Sequence, residues 1–259
     1  MKVTIITVCY NSEKYIRSAI ESVLSQTYKD IEYVVVDGNS SDTTVDIIKS
    51  YEPQFCGRMK WTSEKDNGIY DAMNKGIAMA TGDIIGILNS DDLFTTSDSI
   101  KKIVSIFSEK DIDCTYADLY YVSQNDTDKI IRNWRSGKRM AFSKGWHPAH
   151  PTFYTKKAIY QQYGLFNLTY KFAADFELML RFVEKYNIST SYLAEALVKM
   201  RLGGITNKSL NNIIKGNIEC YKAFKENGIP VSVFYSLYRI FPKFTQFLRR
   251  DGQTTIHWS

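Results

Sequence analysis

The residues of this chain that could do chemistry are mostly carboxylates, and they stand in a regular relation to apolar runs. Val3–Val8 ends in Cys9-Tyr10-Asn11. Ile31–Val36 ends in Asp37-Gly38-Asn39-Ser40-Ser41-Asp42, and Asp83–Leu88 ends in Asn89-Ser90-Asp91-Asp92. Short continuous β-branched runs of this kind read as strands buried on both faces. A carboxylate at the end of such a strand can hold a hard divalent ion whose remaining ligands are water and phosphate oxygens. It can equally cap a helix or close an Asx turn. Asp91 admits both readings, and its place at a strand end favours the metal. Asp37 can accept a hydrogen bond from a base or a ribose, as acidic residues do at strand ends of nucleotide-binding sheets, or it can satisfy turn N–H groups.

Three further groups carry polar chemistry. Asp66-Asn67-Gly68, with Asp71 and Asn74, opens a helix whose inner face is Ile69, Met73 and Ile77. That patch either caps the helix or meets a diphosphate at its N-terminus. Asp175 and Glu177 flank Phe176 at the start of another helix. Helix positions two apart do not share a face, so at most one of the two points into a site. Each suits the first turn by complementing the helix dipole; the sharper reading is a general base, which must reach the hydroxyl it activates. His147-Pro148-Ala149-His150-Pro151 is a stiff segment, because each proline holds the histidine before it extended. A histidine there can bind a hydroxyl, a phosphate or a metal, or simply pack in its loop.

Several chemistries are excluded. The turn after the first strand has no glycine, so the GxGxxG dinucleotide fingerprint is missing, and there is no GxxxxGK[ST] phosphate loop. Three histidines without HExxH argue against a zincin or a zinc finger. The four cysteines are scattered, which suggests free thiols in a reducing cytosol.

These residues need a frame to position them. The 259 residues are 44% hydrophobic and 24% charged, ordinary for a globular protein. Apolar stretches fall far short of a bilayer span, and the short apolar start reads as a first strand, not a leader. Tyr15–Leu24 has helical spacing, with Asn11 or Ser12 as its cap. A helix follows around Val45–Ser50, then a strand over Met59–Ser63 and a helix over Ile69–Ala80. Alternation of this kind predicts a parallel α/β sheet with right-handed crossovers. Ligands then bind outside the carboxyl ends of the strands, where the polar clusters fall. Further on, the patterns predict a strand over Cys114–Ser123, a helix over Ala174–Tyr186, a strand over Tyr192–Leu202 and a helix at about Ser209–Asn227. The net charge of +5 lies entirely in residues 205–259, where eight Lys and Arg face three acids. This basic, aromatic-rich tail either packs on the body or lies against anionic lipid through residues 231–250. A nucleic-acid role has little support, since no recognised module surrounds its basic residues.

Taken in order, the motifs resemble the family 2 glycosyltransferases with the nucleotide-sugar-binding GT-A fold, an α/β fold with a mostly parallel central sheet. The resemblance covers residues 1–204 and rests on Thr4–Asn11, Ser22–Tyr28, Glu32–Thr44, Ser63–Gly76, Leu88–Asp92, His150–Phe153 and Ala174–Leu178. Its nearest look is to bacterial O-antigen and capsule members. The resemblance implies a catalytic domain over 1–204, with a nucleotide-binding half over 1–95 and an acceptor half over 96–204, followed by a helical tail over 205–259. It implies a base pocket of Asp37, Thr7, Val8, Tyr10 and Asn11, with donor contacts at Asp66, Asp71, Asn74, Asn89 and Ser90. Asp91 matches the metal-binding end of the family's DxD element, whose first position here is Asn89; Mn²⁺ or Mg²⁺ would be the ion. Asp92 supports that loop. Asp175 matches the general base, His150 and Glu177 stand near sugar or acceptor, and Gly203-Gly204 lies over the donor. The implied activity is inverting transfer of a hexose from a UDP-linked donor to a glycan or lipid-linked saccharide, in the cytoplasm or at the inner membrane face. Two alternatives are an inactive donor-binding module of a larger assembly and a nucleotidyltransferase. The second lacks the glycine-rich, basic phosphate loop near the first strand.

Overall fold

The apolar runs form the strands that their composition predicts. The computed structural model describes residues 1–203 and 210–235. Strand β1 (Val3–Cys9) and strand β2 (Ile31–Asp37) are buried along their whole length. Helices α1 (Ile16–Leu24) and α2 (Thr44–Tyr51) flank β2 in sequence, and β3 (Met59–Ser63), α3 (Ile69–Met79) and β4 (Ile84–Ile87) complete the first half. β1 pairs parallel with β2 and with β4, and β2 pairs parallel with β3. The strand order β3-β2-β1-β4 therefore reverses between β1 and β4. That reversal opens a crevice at the carboxyl ends, the usual ligand position in such sheets.

The second half adds β5 (Leu93–Phe94), α4 (Ser99–Glu109), β6 (Cys114–Val122), β7 (Ile130–Trp134), β8 (Tyr154–Lys156), α5 (Lys157–Tyr163), α6 (Ala174–Leu180), β9 (Thr190–Arg201) and α7 (Leu210–Glu226). β8 runs antiparallel between β4 and β6, while β6 and β9 are parallel. β5 lies antiparallel to β9, and β7 antiparallel to β6. The parallel half is thus extended into a mixed, continuous α/β sheet of nine strands among the described residues.

Alternation along the strands divides the core in two. Ile6, Val8, Val34, Val36, Ile85 and Ile87 point to one face, where Met73 and Ile77 of α3, Phe176 of α6 and Phe224 of α7 meet them. Ile5, Tyr33, Val35, Ile84 and Leu88 point to the other, under Ile20 of α1, Ile48 of α2 and Ile103 of α4. Two expected elements differ in detail. The helix predicted over Ala174–Tyr186 is α-helical only to Leu180 and then widens to a π-helical turn over Arg181–Lys185. Neither Asn11 nor Ser12 caps α1 with its side chain: Tyr15 holds the cap position without a side-chain bond. The Asn11 carboxamide is instead drawn across to the loop after β2.

The other edge of the sheet is tied by one buried acid. Glu32 of β2 accepts from Lys60 at 2.7 Å, Lys2 at 3.4 Å, Thr4 at 2.7 Å and both the N–H and hydroxyl of Thr81. It links β1, β2, β3 and the approach to β4 at their amino ends. Burial alone would push its carboxyl up; Lys60 and the Thr81 and Thr4 donors outweigh that and hold it at about 2, against an ordinary 4.5. In the unfolded chain the group takes its proton near the ordinary value. Its contribution to stability is therefore complete above that pH and is lost as pH falls through the folded value. Between pH 4.5 and pH 2 the melting temperature of the native chain should fall more steeply than that of Glu32→Gln. Parallel slopes for the two proteins would refute this role.

Candidate active site

Parallel register places the ends of β1, β2 and β3 side by side, with Cys9 opposite Asp37 and Asp37 opposite Ser63. The loop after β4 joins them across the crevice, where the hydroxyls of Ser12 and Ser90 lie 3.0 Å apart. The loops after β1 and β2 are laced together. Asn11 donates its N–H to the Ser40 hydroxyl at 2.8 Å, and its side-chain oxygen accepts the Ser41 N–H at 2.9 Å. Asn11 and Asn39 both sit at positive φ, 48° and 65°, a region that asparagine tolerates better than other side chains. Tyr10 projects from this rim and is 64% exposed.

Asp37 is fully buried. It accepts the Ser40 N–H at 2.9 Å and the hydroxyls of Ser40 and Ser63 at 2.5 and 2.7 Å. The Cys9 thiol lies 3.6 Å from it, and burial together with Asp37 pushes that thiol up, so it stays protonated. Gly38 leaves room for Asp66: a Cβ there would stand 2.5 Å from an Asp66 carboxylate oxygen, which would have to move aside. Asp66 and Asp71 both close the turn before α3, accepting the N–H of Gly68 at 2.8 Å and of Asn67 at 2.9 Å.

The loop after β4 holds two adjacent acids. Asp92 is fully buried and accepts from the Asn89 side-chain amide at 2.9 Å. Burial and the neighbouring Asp91 raise its carboxyl well above the usual range, toward the protonated form. Arg201, at the end of β9, donates to the Asp91 carbonyl at 2.5 Å and to the Ser18 hydroxyl at 3.1 Å. The Asn89 side-chain oxygen and one Asp92 oxygen are buried with no hydrogen-bond partner. Unpartnered oxygens in the loop that carries Asp91 suit a hard cation that takes its other ligands from water and a diphosphate. Among the described residues no cluster of three His, Cys, Asp or Glu could enclose a metal alone, so such an ion would be held partly by its ligand.

Asp175 lies in the first turn of α6, and α6 packs against the turn His150–Thr152. That turn also packs on β4, which brings the two loops to one side of the sheet. His150 Nδ1 is 3.3 Å from one Asp175 oxygen, and the Tyr70 hydroxyl donates to the other at 3.2 Å. Both side chains of the His150–Asp175 pair remain about a quarter exposed, at 28% and 26%. Burial and Asp175 raise the Tyr70 phenol well above its ordinary value, so it serves as a donor. A carboxylate held on both oxygens and still open to solvent is arranged to accept a proton from outside.

The structure withdraws four of the expected contacts. Glu177 turns to the opposite side of α6, where it is buried, pairs with Arg181 at 2.9 Å and accepts from Asn227 at 3.1 Å. Asn74 donates to and accepts from the backbone of Phe166, at 2.9 Å each way. Thr7 is buried and donates to the Leu88 carbonyl, and Val8 belongs to the core; strand alternation sends the two to opposite faces of the sheet, each inside the body. His147, also weighed, packs edge-on to Trp134 and Phe176. Conversely, Tyr70 and Arg201 carry no local signal for these contacts. Tyr70 lies within Ser63–Gly76, but only folding brings it to a partner 105 residues away. A groove lined by Tyr28, Lys29, Lys101 and Glu109 lies toward the amino ends of the strands and contributes none of these groups. Of the Gly203-Gly204 pair expected over the donor, Gly204 lies outside the described residues.

A doubly wound sheet with carboxylates gathered at its switch point is the architecture of nucleotide-binding α/β proteins. Residues 4–178 match the family model for glycosyl transferase family 2, and the chain belongs to that family of glycosyltransferases, with the GT-A fold. It is 27% identical over 213 residues to a PGL/p-HBAD biosynthesis glycosyltransferase of Mycobacterium bovis, covering 79% of this chain and 78% of the relative. An uncharacterized glycosyltransferase of Mycobacterium tuberculosis is 30% identical over 190 residues, 69% of this chain and 68% of its own. Among solved structures, residues 1–349 of S. aureus TarS in complex with UDP-GlcNAc superpose with a TM-score of 0.66 at 19% identity, covering 88% of this chain and 65% of that one. Of a longer TarS chain this protein spans 43%. The mannosyltransferase PcManGT of Pyrobaculum calidifontis, in complex with GDP-Man and Mn²⁺, gives 0.64 at 15% identity, over 97% and 76% of the two chains.

The pair of hydrogen bonds between Asn74 and the Phe166 backbone predicts a structural phenotype. Asn74→Ala should lose about 1–3 kcal/mol of stability in urea unfolding while nucleotide affinity stays within twofold. A large affinity loss with unchanged stability would return Asn74 to the donor site.

Proposed function

We propose that the chain is an inverting hexosyltransferase. It moves a sugar from a nucleoside diphosphate sugar, with uridine as the base, to a hydroxyl of a glycan or a lipid-linked saccharide in surface polysaccharide assembly. The observation that carries this reading is Asp175, held between His150 and Tyr70 and still open to solvent. Asp175 takes the proton of the acceptor hydroxyl. The acceptor oxygen forms its bond to the anomeric carbon from one face as the bond to the diphosphate breaks on the other. The electron pair departs with the nucleoside diphosphate, and the anomeric centre is inverted.

His150 and Tyr70 fix the carboxylate so that one oxygen edge faces the acceptor, which removes a reorganisation cost from the step. Asp91 and the Asn89 oxygen would hold Mn²⁺ or Mg²⁺. Such an ion, when bound, supplies charge neutralisation for the departing diphosphate. A Mn²⁺ complex of a fold neighbour and the UDP-GlcNAc complex of another support the choice of ion and base. Asp37, Tyr10 and Asn11 form the base end of the crevice, Asp66, Asp71 and Ser90 its donor rim, and residues 1–95 and 96–204 divide donor from acceptor. The mycobacterial relative is named for PGL/p-HBAD biosynthesis and not for O-antigen or capsule.

The same proposal places the enzyme in the cytoplasm at the inner membrane face, with contact through residues 231–250. Residues 236–250 lie outside the described ones. Of the rest, Val233 and Phe234 are exposed while Tyr235 is buried on Phe224. No helix among the described residues is long and apolar enough to cross a membrane.

Calorimetric titration with UDP, GDP and TDP, each with Mn²⁺ and with a chelator, should show metal-dependent binding of UDP. Nucleotide binding without any sugar transfer would favour the inactive donor-binding module, and no binding of any nucleotide would overturn the donor reading. Asp91→Asn should weaken that binding by about tenfold or more, the effect of losing one charged contact. Asp175→Asn should cut turnover by at least about a hundredfold, the usual scale for a lost general base, with nucleotide affinity unchanged. Normal turnover in that variant would remove Asp175 as the base.

A further inference from the structure

Helix α6 carries Asp175 in its first turn, yet its own sequence supplies no cap. The cap position is Ala173, with no side-chain bond. The acceptor comes instead from α7, 46 residues further along. One Glu219 oxygen accepts the N–H groups of Phe172 and Ala173 at 2.8 and 2.9 Å, and the other accepts that of Lys171 at 3.0 Å. Three successive N–H groups converging on one carboxylate fix the backbone that enters the helix, and the negative charge suits the helix N-terminus.

The rest of the α6–α7 contact is of a different kind. Glu226 accepts from the Tyr170 hydroxyl at 2.5 Å, Asn227 donates to Glu177 at 3.1 Å, and Phe224 packs on Phe176. Those contacts dock the two helices. Only Glu219 grips the two residues before α6 and the one before those, a single turn from Asp175. The far end of α6 is held separately by Arg181, which donates to the carbonyls of Tyr163, Gly164 and Leu165.

We propose that Glu219 is a positioning residue for glycosyl transfer. It sets the entry of α6 and so the placement of Asp175 against His150 and Tyr70, and it makes α7 part of the working site. This rests on the reading of Asp175 as the base.

The test compares Glu219→Gln and Glu219→Ala with Glu226→Gln, which loosens the α7 docking without touching residues 171–173. Hydrogen exchange followed by mass spectrometry reads the amides of 170–178. Turnover is read on the nucleotide sugar whose nucleotide the titration selects, and on UDP-glucose if the titration selects none. In both Glu219 variants exchange at 171–173 should speed up at least tenfold. The kcat should fall about tenfold to a hundredfold, the scale of a small displacement of a reacting group, with donor KM within twofold. Glu226→Gln should lower the melting temperature and leave kcat within twofold. Unchanged exchange at 171–173, or faster exchange with unchanged kcat while Asp175→Asn is inactive, overturns the role of Glu219 alone. An equal fall in kcat for Glu226→Gln also overturns it, since docking would then explain the effect. If Asp175→Asn itself turns over normally, the base reading falls first.

Discussion

Parallel pairing of β1 with β2 on one side and β4 on the other is the constraint on which the rest of this molecule depends. Hydrogen bonding in a fixed register puts Cys9, Asp37 and Ser63 in one line. The reversal of strand order beside β1 then lets the loops after β1 and β4 meet, where the Ser12 and Ser90 hydroxyls lie 3.0 Å apart. A one-residue slip would send every side chain of a fully buried strand to the opposite core. The register, and with it the crevice, is therefore held by the whole apolar area of both faces.

Electrostatics then sort the acids that the register collects. Asp37 is buried, but three hydrogen-bond donors from Ser40 and Ser63 compensate it. Asp92 is buried with one donor, and its carboxyl is pushed toward the protonated form. Asp91, next to it in the same loop, is only partly buried. Asp175 differs from all three: it is clasped by a histidine and a phenol yet keeps an open edge. Four carboxylates of one chemistry thus sit in separate environments because burial and donor count differ at each.

Helix α6 shows how a short element can carry a precise group. Seven residues form a marginal helix alone, and this one lacks a cap of its own. Its order comes from outside, from Glu219 at one end and the Arg181 contacts at the other, with Phe176 and Met179 in the core between them. Residues 210–226 therefore belong energetically to the body of the protein, although they lie within the basic segment 205–259.

The sequence by itself determined the strands, because continuous apolar runs with acidic ends have few other places to go. It determined the parallel half of the sheet, from the alternation of strand and helix patterns, and it placed most of the site on strand ends. Helix periodicity was also enough to say that Asp175 and Glu177 could not both face the site. Which of them does was decided by the tertiary structure, since Arg181 and Asn227 claim Glu177 from the other side. The same holds for Asn74, whose carboxamide is taken by a backbone 92 residues away, and for Tyr70, whose partner is 105 residues away. Local pattern records which face of an element is apolar. It does not record which distant polar group will meet a given side chain, because that depends on how the helices pack across the sheet.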